Sequence, residues 1–319
     1  MQRVCGTGIE AIAQAADAIA LKKIALGLCV GAESMSRNPI AAFTHRSGFR
    51  MGQVEFKDFL WEALLDPAPN VTMGGTAETV ARTYKITRED VDRFAEMSFS
   101  RALAAQKSCF LSGEIVPLVS ETFELKGYQP RGIQLPKGVD KFDTDTHIRP
   151  SPYEALAKIR PAFGGVQTGG NSSAIVDGAA AALVGSGDYA RSRAAKRLAR
   201  IAAVATVGLP PEIMSMGPAP AIRNLLDGTG LRLDAIDRFE INEAFAAQTI
   251  AVERELQLDR DKLNVNGGAI AIGHPLAATG IRLAVTLARE LRRSNLRYGI
   301  ASACVGGGQG IAMLLENPS

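Results

Sequence analysis

The sequence is poor in the residues from which metal centres and disulfide scaffolds are built. Its 319 residues include four cysteines, three histidines and one tryptophan. Cys5, Cys29, Cys109 and Cys304 are far apart, and no Cys-x-x-Cys pair occurs, so no metal site is expected. A chain of this length has no need of disulfide staples. Free thiols in a reducing compartment, the cytoplasm, are therefore expected. No apolar run approaches the roughly 20 residues that a bilayer span needs, and the opening Met1-Gln2-Arg3-Val4-Cys5-Gly6 lacks the apolar region of a signal peptide. The net charge is only +3, without a dense Lys/Arg stripe interleaved with aromatics. That argues against nucleic acid as a partner and leaves room for an anionic small molecule.

What is present is a large apolar fraction, 46%, with 22% charged residues, the balance of a globular chain with a sizeable core. Length alone suggests about two domains at roughly 150 residues each. Ile9, Ile12, Ala13, Ala16 and Ile19 recur at helical spacing between Cys5 and Lys23, and a buried strand follows at 24–32. From Glu33 to about Phe163 the chain is richer in charge, aromatics and proline, and reads as an inserted, lid-like subdomain. Within it a helix is expected over 88–107, with Thr87 as N-cap and Glu89 and Asp90 in its first turn. Regular α/β character resumes at Asp177, passes through a basic helix expected near 191–200, and enters a strand at 201–207. A short strand at 238–242 precedes a helix at 244–256, which puts Asn242 at a strand's C-terminal end, where open α/β sheets place ligands. Another amphipathic helix spans 281–293, and strands at 299–304 and 311–315 form a closing hairpin.

Two glycine-rich stretches carry the chemistry. One is Val4-Cys5-Gly6-Thr7-Gly8, where a thiol opens a helix and feels the positive end of its dipole, which favours thiolate. The other runs from Gly267 to Gly310, with Gly273-His274-Pro275 before a helix and Cys304 followed by Gly306, Gly307, Gly308 and Gly310. A buried packing role fits Cys5 equally well when it is taken alone. His274 suits acid–base work, whereas His45 and His147 match no catalytic motif. An internal echo links the two stretches: Thr7-Gly8-Ile9, helix, Cys29-Val30-Gly31 parallels Thr279-Gly280-Ile281, helix, Cys304-Val305-Gly306. Two copies of one unit would set two helix N-termini at the centre of a pseudo-symmetric body.

In order and spacing, these stretches, together with Asn242-Glu243-Ala244-Phe245, Met73-Gly74-Gly75-Thr76 and Gly170-Asn171-Ser172-Ser173, resemble the thiolase family along the whole chain. The resemblance implies a thiolase-like α/β fold of duplicated α/β/α/β/α layers with an inserted loop subdomain. It implies an acyl-CoA C-acyltransferase that cleaves 3-ketoacyl-CoA by thiolysis, or runs the reverse condensation, with coenzyme A as substrate and no cofactor. Cys5 would carry the acyl group as a thioester. His274 would activate it and, with a water anchored by Asn242, hold the thioester oxygen. Cys304 would move the proton at the α-carbon, and the N–H groups of Cys5 and Gly306 would form a second oxyanion hole. For coenzyme A, Ser173 and Met73 would touch the pantetheine, Phe163 would line its tunnel, Arg149 would lie near the nucleotide, and Met214 would border the acyl pocket. A homodimer or homotetramer is implied as well.

Three departures from the family pattern qualify these expectations. Ala277 stands where the family usually has glycine. Thr72 stands where short-chain biosynthetic members often carry histidine, which points away from a strict acetoacetyl-CoA enzyme. Family members also carry strands and helices before the nucleophile, and here only Met1–Val4 precede Cys5. The N-terminal half is therefore expected to be incomplete: 1–34 and 170–192 as its remnant, 35–169 as the CoA-binding loop subdomain, and 193–319 as the C-terminal domain. An inactive remnant that binds acyl-CoA or a partner chain is the rival reading. A related condensing enzyme is disfavoured, because such enzymes place His or Glu where Cys304 stands.

Overall fold

The computed structural model describes residues 1–43 and 45–318; the side chain of His45, for which a surface or structural place was expected, lies outside the described ones. In chain order the main elements are α1 (Thr7–Ala20), β1 (Leu26–Ser34), the short pair β2 (Leu65–Asp66) and β3 (Val71–Thr72), α2 (Met73–Thr83), α3 (Arg88–Lys107) and β4 (Asp177–Gly185). They continue with β5 (Arg200–Gly208), α4 (Pro218–Thr229), β6 (Arg238–Ile241), α5 (Ala246–Leu256), α6 (Leu276–Arg293), β7 (Tyr298–Val305) and β8 (Gln309–Glu316).

The sheet nearest the C-terminus has the order β5-β8-β7-β6, with β6 parallel to β7 and the other pairs antiparallel. Its two central strands, β7 and β8, are buried on both faces, and their residues alternate between two cores as the two-residue period of a strand requires. Ile300, Ala312 and Leu314 face a core built with α3, α4 and α5, which contribute Phe94, Phe99, Ile222, Leu225 and Ile250. Ala301, Ala303, Val305, Ile311, Met313 and Leu315 face the opposite core, made with Ile9 and Ile12 of α1 and Ile281, Leu283, Leu287 and Leu291 of α6. Each such side chain contributes roughly 1.5–3 kcal/mol on burial, so α1 and α6 are held by packing far more than by propensity. On the far side of α1 and α6, β1 and β4 pair antiparallel, with Leu28 opposite Leu183. Cys29, Ala180, Ala182 and Val184 turn inward onto the second core, while Leu28, Val30 and Leu183 are exposed. The order is helix, sheet, helix, two-stranded sheet: four layers of the expected α/β/α/β/α arrangement among the described residues.

Several expectations meet the structure directly. The 88–107 helix runs over those residues, and Thr87 and Asp90 form a reciprocal capping box. The hairpin at the C-terminus forms around the glycine turn. Two differ. The basic helix expected near 191–200 is only Gly187–Ser192, because the run beyond it carries Arg193, Lys196 and Arg197 with no acid to offset their repulsion. The segment from Glu33 to about Phe163, read as an inserted, lid-like subdomain, supplies core residues from α2 and α3, namely Val80, Val91, Phe94 and Phe99, to the same core as α4 and α5. Short two-stranded pieces occupy much of the rest of it.

Candidate active site

The site begins where two helices cross. A methyl placed on Gly8 would lie 2.5 Å from Ile281 N, and one on Gly280 would lie 2.3 Å from Ile9 N. Only glycine at both positions lets α1 and α6 approach backbone to backbone, so their N-terminal ends are brought together. Cys5 lies just before α1 and His274 just before α6. The two echoed Thr-Gly-Ile triplets are thus the two sides of one crossing.

Cys5 occupies a 3₁₀ turn, Val4–Gly6, ahead of α1 rather than its first turn. Val4 has φ of +45°, an unfavourable backbone for a β-branched residue that costs about 1–3 kcal/mol. The Thr7 hydroxyl accepts from Arg3 N at 2.8 Å and holds this turn in place. The sequence suggested a thiol biased toward thiolate; the structure reverses that. Burial pushes the Cys5 thiol up to about 12, against the pull of the Cys5 and Gly306 N–H groups on the sulfur, and Glu33 adds a small upward push. Desolvation outweighs the helix end because the sulfur has been removed from water.

Cys304 is fully buried near the end of β7, and burial together with the nearby Cys5 pushes its thiol upward as well. The chain then turns through Gly306, Gly307 and Gly308, the last two at φ +83° and +74°, which suits glycine.

His274 is 5% exposed. Its Nδ1 lies 2.6 Å from Thr279 Oγ1, and that hydroxyl donates to Pro275 O at 3.1 Å. The hydroxyl proton is thereby committed, so Nδ1 carries the ring proton and Nε2 accepts. Asn242 Nδ2 donates to Nε2 at 3.3 Å. Burial, aided by Arg282, holds the imidazole down at about 3, so it is neutral at neutral pH. Asn242 follows β6, and its N–H donates to Ser302 O at 2.9 Å, two residues before Cys304. Its Oδ1 is buried and has no protein partner, which leaves one acceptor to receive a donor.

Glu243, the second residue of the Asn242-Glu243-Ala244-Phe245 motif, is fully buried. It accepts from Ser98 Oγ at 2.6 Å, Asn264 Nδ2 at 2.9 Å and Ile270 N at 3.2 Å. It ties β6 to the loop that leads into His274. Burial raises its pKa despite these bonds. Thr279, which fixes the imidazole tautomer, likewise stood in the sequence only as part of a motif.

Beside Cys304 is a small apolar cluster of Ala77, Met214, Ala244 and Phe245, with Met73 and Phe163 packed against it. Phe163 meets Phe245 edge-on at 6.2 Å and stacks with Trp61 at 6.5 Å. Ser173 adjoins the cluster through its N–H to Ala244 O at 3.0 Å. Four of the five residues expected around coenzyme A therefore gather here. Arg149 does not: it is exposed, with its guanidinium 5.1 Å over the Phe99 ring and bonded to His147. His147 is half-buried between these groups, a structural place. All four cysteines are free.

A strand-end amide, a neutral buried imidazole and two buried thiols at the crossing of two symmetry-related helices define a class. Residues 1–188 match the thiolase N-terminal domain and residues 195–317 the thiolase C-terminal domain, and the chain belongs to the thiolase family. The chain is 39% identical to the mitochondrial 3-ketoacyl-CoA thiolase of Homo sapiens over 99% of its own length and 78% of the relative's. It is 42% identical to the acetyl-CoA acetyltransferase of Paracoccus denitrificans over 100% of its length and 79% of the relative's. The crystal structure of human mitochondrial 3-ketoacyl-CoA thiolase in complex with CoA superposes with a TM-score of 0.91 at 38% identity, covering 100% of this chain and 77% of that one. The fold expected from the sequence is the fold found. Among the described residues, no helix is long and apolar enough to cross a membrane.

Proposed function

We propose that this chain is an acyl-CoA C-acyltransferase that cleaves 3-ketoacyl-CoA with coenzyme A, or runs the reverse condensation. The observation that carries this reading is the convergence of the Cys5 turn, the start of α6 and the end of β7 that bears Cys304, where a methyl on Gly6 would lie 2.8 Å from the Val305 side chain. In thiolysis the Cys5 sulfur attacks the 3-keto carbon, and its proton passes to Nε2 of the neutral His274. The C2–C3 bond breaks, and the electron pair left on C2 takes a proton from Cys304, releasing acetyl-CoA. The shortened acyl group, now a thioester on Cys5, passes to incoming coenzyme A, whose thiol proton goes to the Cys304 thiolate, while the departing Cys5 sulfur takes its proton back from His274. The Cys5 and Gly306 N–H groups would face the oxyanion on the acyl-enzyme, where one such donor is worth about 2.7–4 kcal/mol. Nε2 of His274 and a water on Asn242 Oδ1 would serve the thioester oxygen of the second substrate.

Met73, Phe163, Met214 and Ser173 would receive the pantetheine and acyl chain, and Arg149 the nucleotide end. The chain divides into 1–34 with 170–192, a loop region 35–169 that binds CoA, and 193–319. We read it as a homodimer or homotetramer in a reducing compartment, the cytoplasm, on the strength of the exposed apolar face of β1 and β4 and the four free thiols. That same face favours the rival reading, a chain that binds acyl-CoA or a partner without turnover.

Thiolysis of 3-ketoacyl-CoA substrates of several chain lengths separates the two. Turnover that is lost in Cys5→Ala supports the enzyme. In Cys304→Ala, acetyl transfer from acetyl-CoA to Cys5 should survive while carbon–carbon cleavage is lost. A folded chain with no turnover on any substrate supports the rival.

A further inference from the structure

The turn that offers Gly306 N–H to Cys5 is made of consecutive glycines, and such a turn has no side chain to hold its peptide planes. Its flexibility is a liability for a group that must point one way, because without a side chain the torsions on both sides of Gly306 turn at little cost, and the peptide that follows it is one place where they can be held. In this chain that peptide is gripped at both ends. Its N–H, on Gly307, donates to Asp66 Oδ2 at 3.1 Å. Its carbonyl, on Gly306, accepts from Gln309 Nε2 at 3.3 Å.

Neither grip is free to move. Asp66 is 5% exposed, and its other oxygen accepts from Ala68 N at 3.1 Å, so the carboxylate is fixed within the β2–β3 hairpin. The residue after that hairpin, Met73, lies against the same turn: a methyl on Gly306 would be 3.4 Å from its sulfur. Gln309 Oε1 accepts from Arg3 Nε at 3.2 Å, and Arg3 is ion-paired with Glu10 of α1. The turn is thus tied on one side to the segment that bears the nucleophile and on the other to the loop region that begins after β1.

We propose that Asp66 is a positioning residue for the acyl-transfer step: by holding Gly307 N–H it locks the 306–307 peptide and thereby restrains Gly306, keeping its N–H turned toward the Cys5 side of the site. This rests on the acyltransferase reading for its catalytic consequence, but not for the geometry. It also gives the β2–β3 hairpin a task, since displacement of the hairpin would release the turn. Gln309 acts on the same peptide from the opposite end.

The test compares wild type with Asp66→Asn, Asp66→Ala and Gln309→Met, and with Asp58→Ala as a control. Asp58 caps the short helix at 59–63 in the same region and does not touch the turn. In steady-state thiolysis, Asp66→Ala is expected to lower kcat by about 10- to 100-fold, the usual penalty for a small misplacement of a reacting group. KM for coenzyme A should stay within about 2-fold, because no contact of uniform binding is removed. Asp66→Asn keeps one acceptor and should fall between wild type and Asp66→Ala. Adding Gln309→Met to Asp66→Asn should cost less than the product of the single losses, since both act on one peptide.

A second readout is independent of turnover. Alkylation of Cys5 by iodoacetamide at fixed pH should slow by about 3-fold or more in the Asp66 variants, because a lost N–H bond disfavours the thiolate. Asp58→Ala should match wild type in both assays. If wild type itself does not turn over substrate, the acyltransferase reading fails, and alkylation still decides the role of Asp66. Alkylation rates of folded Asp66→Asn equal to those of wild type would overturn the proposal, as would a full kcat with an altered KM. Should Asp66→Ala not fold, Asp66→Asn, which preserves shape and one acceptor, carries the comparison.

Discussion

At the scale of single residues, His274 shows how much of the site is set by partners outside the ring itself. Thr279 accepts from its Nδ1–H and leaves Nε2 as the acceptor, an arrangement that depends on one hydroxyl. Thr279→Val should preserve volume yet leave a buried N–H unpaired, costing about 1–3 kcal/mol in urea denaturation. It should also lower kcat by about 10-fold as the tautomer is released. The depressed pKa has a second consequence. With the folded value at about 3 and the ordinary value at 6.5, the unfolded chain takes up a proton that the folded chain refuses as pH falls. Stability from this group is full above pH 6.5 and is lost as pH falls toward 3. His274→Gln should therefore show a smaller drop in urea midpoint between pH 7 and pH 4 than wild type does; equal drops would show that other groups govern that window. Cys5, Cys304 and His274 were legible in the sequence because bare glycine surroundings set them apart from packing residues. The thiol's resting state was not, because the helix end is a local feature whereas burial is imposed by α6 and β7, which pack against the Val4–Gly6 turn from far along the chain. Asp66 left no signal for the same reason: its partner is 241 residues away.

At the scale of elements, the crossing of α1 and α6 is the contact on which the site depends. Gly280→Ala would drive a methyl into the backbone at Ile9 and Gly8, with nothing flexible to give way. Overpacking of this kind costs about 1–3 kcal/mol, and more where backbone must move. The expected outcome is a lower melting temperature together with a loss of activity larger than stability explains, because the two helix starts separate. Unchanged activity in a folded Gly280→Ala chain would remove the crossing from the account. Helical periodicity made α1, α3 and α6 readable, and the repeated Thr-Gly-Ile triplet pointed to two central helix starts, though not to the backbone crossing at Gly8 and Gly280. The short stretch 193–199 was misread because helix-compatible spacing says nothing about uncompensated charge.

At the scale of the whole molecule, the outer face of β1 and β4 stands without a covering layer among the described residues. Leu28 and Leu183, directly opposed across the ladder, are each 68% exposed. Patches of this kind mark association surfaces. Sedimentation should therefore find wild type as an oligomer, and Leu28→Lys with Leu183→Lys should shift it toward monomer while circular dichroism stays unchanged; a monomeric wild type would contradict this. The layer order followed from the family resemblance, but an exposed face cannot be read from a strand's own residues, since an apolar run looks alike whether covered or bare. The central claim is that all these parts serve one covalent step, and it is tested most directly by intact-mass spectrometry of the chain after brief exposure to acetyl-CoA without free coenzyme A. The account predicts a gain of one acetyl group, mapped to the peptide bearing Cys5, absent in Cys5→Ala and discharged when coenzyme A is added. Acetylation elsewhere, or none on a folded chain, would contradict it.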